Sequence, residues 1–325
     1  MECIKNKSIL LILISIAVWF PTFVQAVPIQ KGDVFAGSKD GMVEHYRPGV
    51  GFLAEYNIGG SGEVTGMAFD SNGNLYATRF GFSTIVKLDN TGNVISNPFV
   101  ANDTGSHNES IFFDKTGNFY VGQADGTRDI IKRASDGTFI DRYDVATDRG
   151  SDWIDLSSDQ ATMFYSSEGR AIRRYDVSTD TQLANFATLP GSGNAFALRL
   201  LDDGGLLVAD RNDIKRLDSN GNVVQTYDTN TENFWFALNL DPDGKSFWSA
   251  GYQSGLIQRF DIATGNLLDS FTSQGPSGPS GLVVFGEITQ GGGGNGGNGG
   301  NPIPEPFTLS LFLIGLIGLW SVNRR

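Results

Sequence analysis

The chain has 325 residues, with 24 Lys and Arg against 36 Asp and Glu, so its formal net charge is −12 at pH 7. Phosphate backbones bind clustered cations, and the sequence contains no such cluster, which argues against a nucleic acid as a partner. The acidity suits a solvated extracellular surface or weak association with divalent cations, and charge alone does not separate the two.

The first 26 residues have the pattern of a secretory signal peptide. Lysines at positions 5 and 7 precede an apolar run at 9–20, and residues 24–26 offer small side chains at the cleavage position. Cleavage after Ala26 would leave Val27 as the mature N-terminus. The only cysteine, Cys3, would be removed with this segment. The mature chain would then have no thiol, no disulfide and no thiolate metal site, which excludes nucleophilic cysteine chemistry.

The middle of the chain repeats a two-strand unit. In each copy an apolar strand enters an Asp/Gly turn and a second apolar strand follows, which is the signature of a β-hairpin. Clear copies span 69–76, 113–120 and 240–247, a looser copy spans 200–207, and a degenerate copy spans 156–164.

A second hairpin follows each first hairpin at a fixed distance. Its leading strand places a cation within an apolar segment, as at residues 85–88 and 257–260. This mixture predicts a strand with one flank exposed to solvent. Four strands per unit indicate the blades of a β-propeller.

The turn positions count the blades. They are Gly32, Gly73, Gly117, Gln160, Gly204 and Gly244, at intervals of 41, 44, 43, 44 and 40 residues. The sequence therefore predicts an all-β, six-bladed β-propeller over residues 27–290. The first blade lacks its innermost strand, and residues 281–285 are a lone copy of one. We therefore expect the N- and C-terminal strands to pair and close the ring.

These blades resemble those of NHL-type and gluconolactonase-like six-bladed propellers, and those of streptogramin lyases, across nearly the whole mature domain. The resemblance implies the fold. It implies little about function, because such blades occur in enzymes, ligand binders and scaffolds.

Propellers place their chemistry on the face built from loops that enter the first strand and loops between the second and third strands. In gluconolactonase-like propellers, oxygens from entry loops hold a central divalent ion. The resemblance implies a calcium-like ion here, and the entry-loop residues with suitable oxygens are Glu63, Glu109, Asp152, Asn194 and Asn233. The alternative is that these are polar residues that end strands at a solvated rim.

The chain has two histidines, His45 and His107. Chemistry like that of streptogramin lyases would require a general base and a metal-bound carbonyl. His107 lies in an entry loop two residues before Glu109, so these two are the catalytic candidates if the protein is an enzyme. His45 is expected to pack on the flank of a blade.

Aromatic residues are expected mainly in the core, where large rings fill the wedges between blades. Trp153, Phe234 and Trp235 lie beside entry loops. They could stack on a sugar ring or pack between blades.

The C-terminal end combines a linker, a short motif, an apolar run and a basic end. They are the Gly/Asn tract 291–301, Pro304-Glu305-Pro306, residues 307–322, and Arg324 with Arg325. This order resembles the PEP-CTERM sorting signal of exosortase-processed proteins, over residues 302–325. The resemblance implies a transmembrane helix at 307–322 and cleavage by an exosortase-type enzyme after signal peptidase has acted. An ordinary C-terminal membrane anchor is the alternative.

The two ends predict export, transient anchoring in the inner membrane, and a final place at the cell surface or outside the cell, because the terminal arginines stay on the cytoplasmic side. We expect a binding or scaffold propeller of the envelope or extracellular matrix, with polysaccharide or another envelope protein as partner. The alternative is a metal-dependent hydrolase or lyase with its site at the propeller mouth.

Overall fold

The computed structural model describes residues 27–102, 105–232, 234–275 and 278–292. The strands in this part of the chain form six antiparallel sheets, which are the blades of a β-propeller. The first three blades are built from β1 (Val34–Gly37), β2 (Met42–Arg47), β3 (Gly51–Asn57) and β25 (Gly281–Val284); β4 (Val64–Phe69), β5 (Leu75–Arg79), β6 (Thr84–Leu88) and β7 (Val94–Val100); and β8 (His107–Phe113), β9 (Phe119–Ala124), β10 (Ile130–Arg133) and β11 (Phe139–Tyr143).

The fourth blade differs from the others in its outer strand, which is split into two short pieces that both pair with the third strand of the blade. The last three blades are built from β12 (Ile154–Leu156), β13 (Thr162–Tyr165), β14 (Ala171–Asp176), β15 (Thr181–Gln182) and β16 (Ala187–Thr188); β17 (Ala195–Leu200), β18 (Leu206–Asp210), β19 (Asp213–Leu217) and β20 (Val223–Tyr227); and β21 (Trp235–Leu240), β22 (Ser246–Gly251), β23 (Leu256–Asp261) and β24 (Leu267–Thr272). The six-bladed, all-β prediction is confirmed.

The turns between first and second strands form as the repeat predicts. In blade 2, Asp70 Oδ1 accepts hydrogen bonds from the backbone N–H groups of Asn72 and Asn74, each at 2.9 Å. Gly73 between them has φ +78°, a backbone conformation that glycine adopts without steric cost. In this hairpin the Asp therefore accepts the hydrogen bonds of the turn, and the Gly provides its positive φ.

The sequence suggested that the cations of the third strands face solvent. In the structure they contact other groups of the same blade. Arg216 Nη2 lies 2.8 Å from Asp203 Oδ2, and Lys87 Nζ lies 3.7 Å from Asp70 Oδ2. Each carboxylate belongs to the turn of the same blade, because the third strand runs beside the second and returns to the turn end. Lys132 instead lies over the Tyr120 ring, 5.0 Å from its centroid. The repeated cation is thus a structural contact within each blade.

Aromatic rings fill the wedges between blades, as expected. Tyr76 of blade 2 meets Phe113 of blade 3 edge-on with centroids 4.9 Å apart. Phe271 of blade 6 stacks on Tyr46 of blade 1 at 5.1 Å. Packing is therefore continuous across the junction between the last blade and the first. Each such pair adds about 1 kcal/mol to the larger stabilisation from burial of the rings.

The seam itself is a pair of strands from opposite ends of the chain. Strand β25 is the innermost strand of blade 1 and runs antiparallel to β1, with partners from Val34↔Val284 to Gly37↔Gly281. The Phe285 N–H donates to the Asp33 carbonyl at 2.8 Å beyond the ladder. The predicted closure by N- and C-terminal strands is confirmed.

Asp33 organises the N-terminal side of this seam. Its Oδ2 lies 2.8 Å from His45 Nε2 and from Arg47 Nη2, its Oδ1 accepts from Arg47 Nε at 2.8 Å, and the Gln30 N–H donates to Oδ2 at 2.8 Å. Burial alone would raise the pKa of Asp33, but the hydrogen bonds from His45 and Arg47 outweigh it and leave the pKa lowered. His45 is fully buried and stacks on Phe35 at 4.3 Å.

After β25 the chain crosses the turn end of the central channel as a segment that we call the strap, residues 286–292. The Glu287 carboxylate is buried there. It accepts hydrogen bonds from Arg199 Nε at 2.8 Å, from Asn239 Nδ2 at 2.8 Å and from the Leu240 N–H at 2.7 Å. These partners belong to the inner strands of blades 5 and 6.

The strap ends against blades 4 and 3. Gln160 Nε2 donates to the Gly291 carbonyl at 2.9 Å, and Gly292 forms a β-bridge with Asp114. A Cβ at Gly291 would lie 2.2 Å from the Leu156 carbonyl oxygen, so only glycine fits this crossing. The sequence assigned residues 291 and 292 to the linker, but they pack on the propeller. Glycine is required for a close backbone approach and is also typical of flexible tracts, so the residue type did not distinguish the two.

Several sequence assignments lie outside the described residues. These are the signal peptide at 1–26, the linker from residue 293 onward, and the sorting segment 302–325 with its apolar run and its motif residues. Across the described ranges, no helix has both the length and the apolar character needed to cross a membrane.

Replacing Asp33 with Asn is expected to lower the free energy of unfolding by about 3 kcal/mol, because a buried ion-paired group loses its charge while its partners remain. Urea unfolding monitored by tryptophan fluorescence measures this change. Asp141→Asn is the matched control: Asp141 is exposed on a blade edge, so its effect should stay within about 0.5 kcal/mol. Equal unfolding midpoints for the two variants would contradict the role assigned to Asp33.

Candidate functional site

The loops that enter the inner strands gather at one end of the channel, because all six inner strands run from that end toward the other. We call this end the mouth. Sequence-predicted metal ligands do lie there: Glu63 and Asn194 are half-buried, and Glu109 and Asp152 are buried. Asn233 lies outside the described residues.

Asp152 is the most unusual group at the mouth. Its side chain is 0% exposed, and neither carboxyl oxygen has a hydrogen-bond partner among the described residues. Burial, and after it the negative charge of Glu168, raises the pKa of Asp152 to about 8 against an opposing effect of Arg149. Burial and the charge of Asp152 likewise raise the pKa of Glu109 well above its ordinary value. The two carboxyls therefore share at least one proton at neutral pH.

Arg149 is a cation whose charge acts on both members of this pair, and the sequence did not single it out. Its Nη2 lies 3.2 Å from Asp125 Oδ2, and its Nη1 donates to Glu168. The hydrogen bond from Arg149 is the main cause of the lowered pKa of Asp125. With its donors directed at these two carboxylates, Arg149 leaves Asp152 without a hydrogen bond. In the sequence, the only sign of this role was that Arg149 is an isolated arginine in an entry loop.

His107 and Glu109 do not form one constellation. A β-bulge between Asn108 and Ser110 interrupts the alternation of β8 at Glu109, so the spacing of two residues does not align the two side chains. The His107 ring remains at the rim, tilted against Phe80 with centroids 4.5 Å apart. Its Nδ1 lies 3.5 Å from Asp125 Oδ2, which is an ion-pair distance outside hydrogen-bond geometry.

A lysine closes the opposite side of the mouth. Lys39, in the loop after β1, donates to the Tyr252 carbonyl of blade 6 at 2.9 Å. Its Nζ also lies 3.4 Å from the centroid of the Tyr252 ring. Burial and the nearby Glu63 carboxylate raise the pKa of Tyr252. These contacts link blade 1 to blade 6 at the mouth.

Within the described ranges, no three side chains among His, Cys, Asp and Glu are grouped so that they could hold a metal ion. Glu63, Glu109 and Asp152 therefore do not form a carboxylate cage for calcium. A site completed by Asn233 stays a prediction, since that residue is outside the described part of the chain.

The aromatic residues beside the entry loops are mostly part of the core. Trp235 is fully buried, and Trp153 is buried edge-on against Phe236 with centroids 5.6 Å apart. Phe234 is half-buried, and the Arg211 guanidinium lies over it at 4.4 Å. The two tryptophans therefore pack between blades and offer no ring face to a sugar.

Comparison with known proteins identifies the fold and no family. No protein-family model matches the sequence, and no curated protein sequence matches it. Among solved structures, the chain is similar to a chain of a nidogen–laminin complex, with 16% identity and a TM-score of 0.61, covering 77% of this chain and 97% of that one.

Two further structures are similar to the same extent. A protein of unknown function from Bacteroides caccae has 14% identity and a TM-score of 0.63, with 78% of this chain and 98% of that chain covered. The WD40 β-propeller domain of Doa1 has 17% identity and a TM-score of 0.58, with 80% and 87% covered. At these identities the likeness establishes the β-propeller fold alone.

The pKa of Asp152 predicts how stability changes with pH. The folded carboxyl titrates near pH 8, and the ordinary value is 3.8. Between these two values the folded chain holds a proton that the unfolded chain has lost, so this group's contribution to stability falls as pH rises and becomes level above about pH 8. Asp152→Asn should remove a slope of about 1.4 kcal/mol per pH unit over that window.

Urea unfolding at pH 5, 6, 7 and 8 measures the slope for the wild type and each variant. The exposed control Asp141→Asn should retain the wild-type slope. A line for Asp152→Asn that runs parallel to the wild type would show that this carboxyl is ionised in the folded protein.

Proposed function

We propose that this chain is an exported β-propeller that serves as a binding or scaffold domain at the cell envelope or in the extracellular matrix. In this proposal, signal peptidase removes residues 1–26, and an exosortase-type enzyme recognises the PEP-CTERM segment 302–325. The partner at the mouth is a polysaccharide or another envelope protein.

The proposal is supported by the positions of the first and last described segments of the chain. The Pro28 carbonyl accepts a hydrogen bond from Arg47 at 2.9 Å, and Gly292 bridges to the turn residue Asp114. Both contacts are at the turn end of the channel, opposite the mouth. A tail that continues from Gly292 into a membrane would therefore leave the mouth facing away from it. A random coil with the length of the remaining Gly/Asn tract, residues 293–301, has a root-mean-square reach of roughly 16 Å.

The enzymatic alternative has weaker support. A metal-dependent hydrolase or lyase needs a base and a metal that a substrate can reach. Glu109 is only 3% exposed, and the bulge in β8 separates it from His107. The contacts at the mouth favour a rigid surface over a reaction centre.

Mass analysis of the mature protein from native cells tests the sorting proposal. We expect a chain that begins at Val27 and has lost the apolar run 307–322. Replacing Pro304, Glu305 and Pro306 together with Ala should leave Arg325 in place, because the processing enzyme would lose its recognition motif. Pro302→Ala is the control and should be processed normally. Wild-type protein that retains Arg325 would contradict the proposal.

The binding role is tested separately with the same cells. The mature protein should sediment with the extracellular polysaccharide or remain crosslinked to an envelope protein through mouth residues. Recovery only as a free soluble monomer, with no crosslinked species, would argue against a binding or scaffold role.

A further inference from the structure

The strap makes contacts with the propeller along its length, beyond those needed to attach a linker. Glu287 contacts the inner strands of blades 5 and 6, and Gly291 and Gly292 contact blades 4 and 3. Gln290 donates to Asp202 of blade 5. The segment thus crosses the whole turn end of the channel and binds to four blades other than the one that contains β25.

A buried ion pair fixes the centre of the strap. Arg199 and Glu287 are 6% and 5% exposed, and Arg199 also donates from Nη1 to the Leu198 carbonyl at 2.9 Å. Asp155 is fully buried, accepts from the Leu200 N–H at 2.8 Å and interacts electrostatically with Arg199. Removing one member of such a pair leaves an uncompensated buried charge, so release of Glu287 is strongly opposed.

The strap also lies between the C-terminal tail and the seam. Strand β25 pairs with β1 in blade 1, whereas the last described residue, Gly292, lies against blade 3. Tension applied to the tail therefore reaches Gly292, Gly291 and Glu287 before it reaches β25. Loss of β25 would expose the unpaired edge of β1, which is a hazard for aggregation.

We propose that the strap is a mechanical lock, which transfers tension from the C-terminal tail to blades 3 to 6 and keeps the β25–β1 seam closed. This role rests on the proposed function, because only an anchored or covalently attached tail carries load. Glu287 and Arg199 are positioning residues of the lock, and Gly291 permits the close crossing over Leu156.

Single-molecule force spectroscopy of the full-length chain in detergent tests the lock. Handles are attached at Gly81→Cys, in an open mouth loop, and at Asn301→Cys, in a Cys3→Ser background. We expect a first step that frees up to about 25 Å as seven strap residues extend, followed by opening of the ring at higher force. Under constant force, Glu287→Gln should shorten the lifetime of the strapped state at least tenfold.

Gly291→Ala provides a second variant that leaves the charges unchanged. Its Cβ would clash with the Leu156 carbonyl, so it should weaken the first step in the same direction, whereas Asp141→Asn should match the wild type. The lock is refuted if the wild type opens in one step, or if neither strap variant shortens the first lifetime. Mass analysis of the native protein tests the separate premise that the tail is anchored or attached to a carrier. If the tail is absent from all mature protein and from any carrier, the proposed load does not exist, and the force curves remain unchanged.

Discussion

Antiparallel pairing of β25 with β1 is the contact on which the remaining architecture depends. Only this pairing gives blade 1 an innermost strand, and with it the ring has no open sheet at the seam. The two strands are separated by nearly the whole domain, yet the entropic cost of joining distant segments grows only slowly with their separation. The Asp33 contacts on one side and the strap on the other hold the register of this pair. Rings also pack across the junction between blades 6 and 1, as Phe271 does on Tyr46.

Buried carboxylates at the two ends of the channel differ in their hydrogen-bond partners. At the turn end, Glu287 accepts hydrogen bonds on both of its oxygens and is paired with Arg199. Asp155 accepts from the Leu200 N–H on one oxygen only, and burial raises its pKa to about 7. At the mouth, neither oxygen of Asp152 has a hydrogen-bond partner among the described residues, and Arg149 is directed at Asp125 and Glu168. Unsatisfied buried acids reduce stability, so Asp152 carries the larger cost of these buried carboxyls.

Blade number and ring closure could be predicted because the turn chemistry repeats every 40 to 44 residues and each repeat contains four strand patterns. Each Asp/Gly turn is local, so its residues identify it without knowledge of the neighbours. The missed features all depend on contacts between distant residues. Arg149 gains its role only beside Asp125 and Glu168, and the third-strand Arg216 gains its role only beside a turn carboxylate of the same blade. Glycine at position 291 was ambiguous, because flexible tracts and close backbone crossings select the same residue.

Bulges and burial explain the remaining differences at the mouth. Sequence spacing suggested that His107 and Glu109 would act together, but one extra residue in β8 separates them. Trp153 and Trp235 lie beside loops in the sequence, although their rings point between blades. A strand end can direct a side chain outward or into the wedge, and hydropathy does not distinguish these directions for an amphipathic ring.

The first and last described segments of the chain, at Pro28 and Gly292, both lie at the turn end of the ring. A ring whose first and last strands are neighbours is entered and left on one face, so the propeller can be inserted into a longer chain as a cassette without threading of the host. Because the ring is closed, the first blade is defined only by the position at which the chain is opened. A circular permutant that starts in a mouth loop, with residue 292 joined to residue 27 by a linker that passes from blade 3 to blade 1, would have the same six blades and would carry its termini at the mouth.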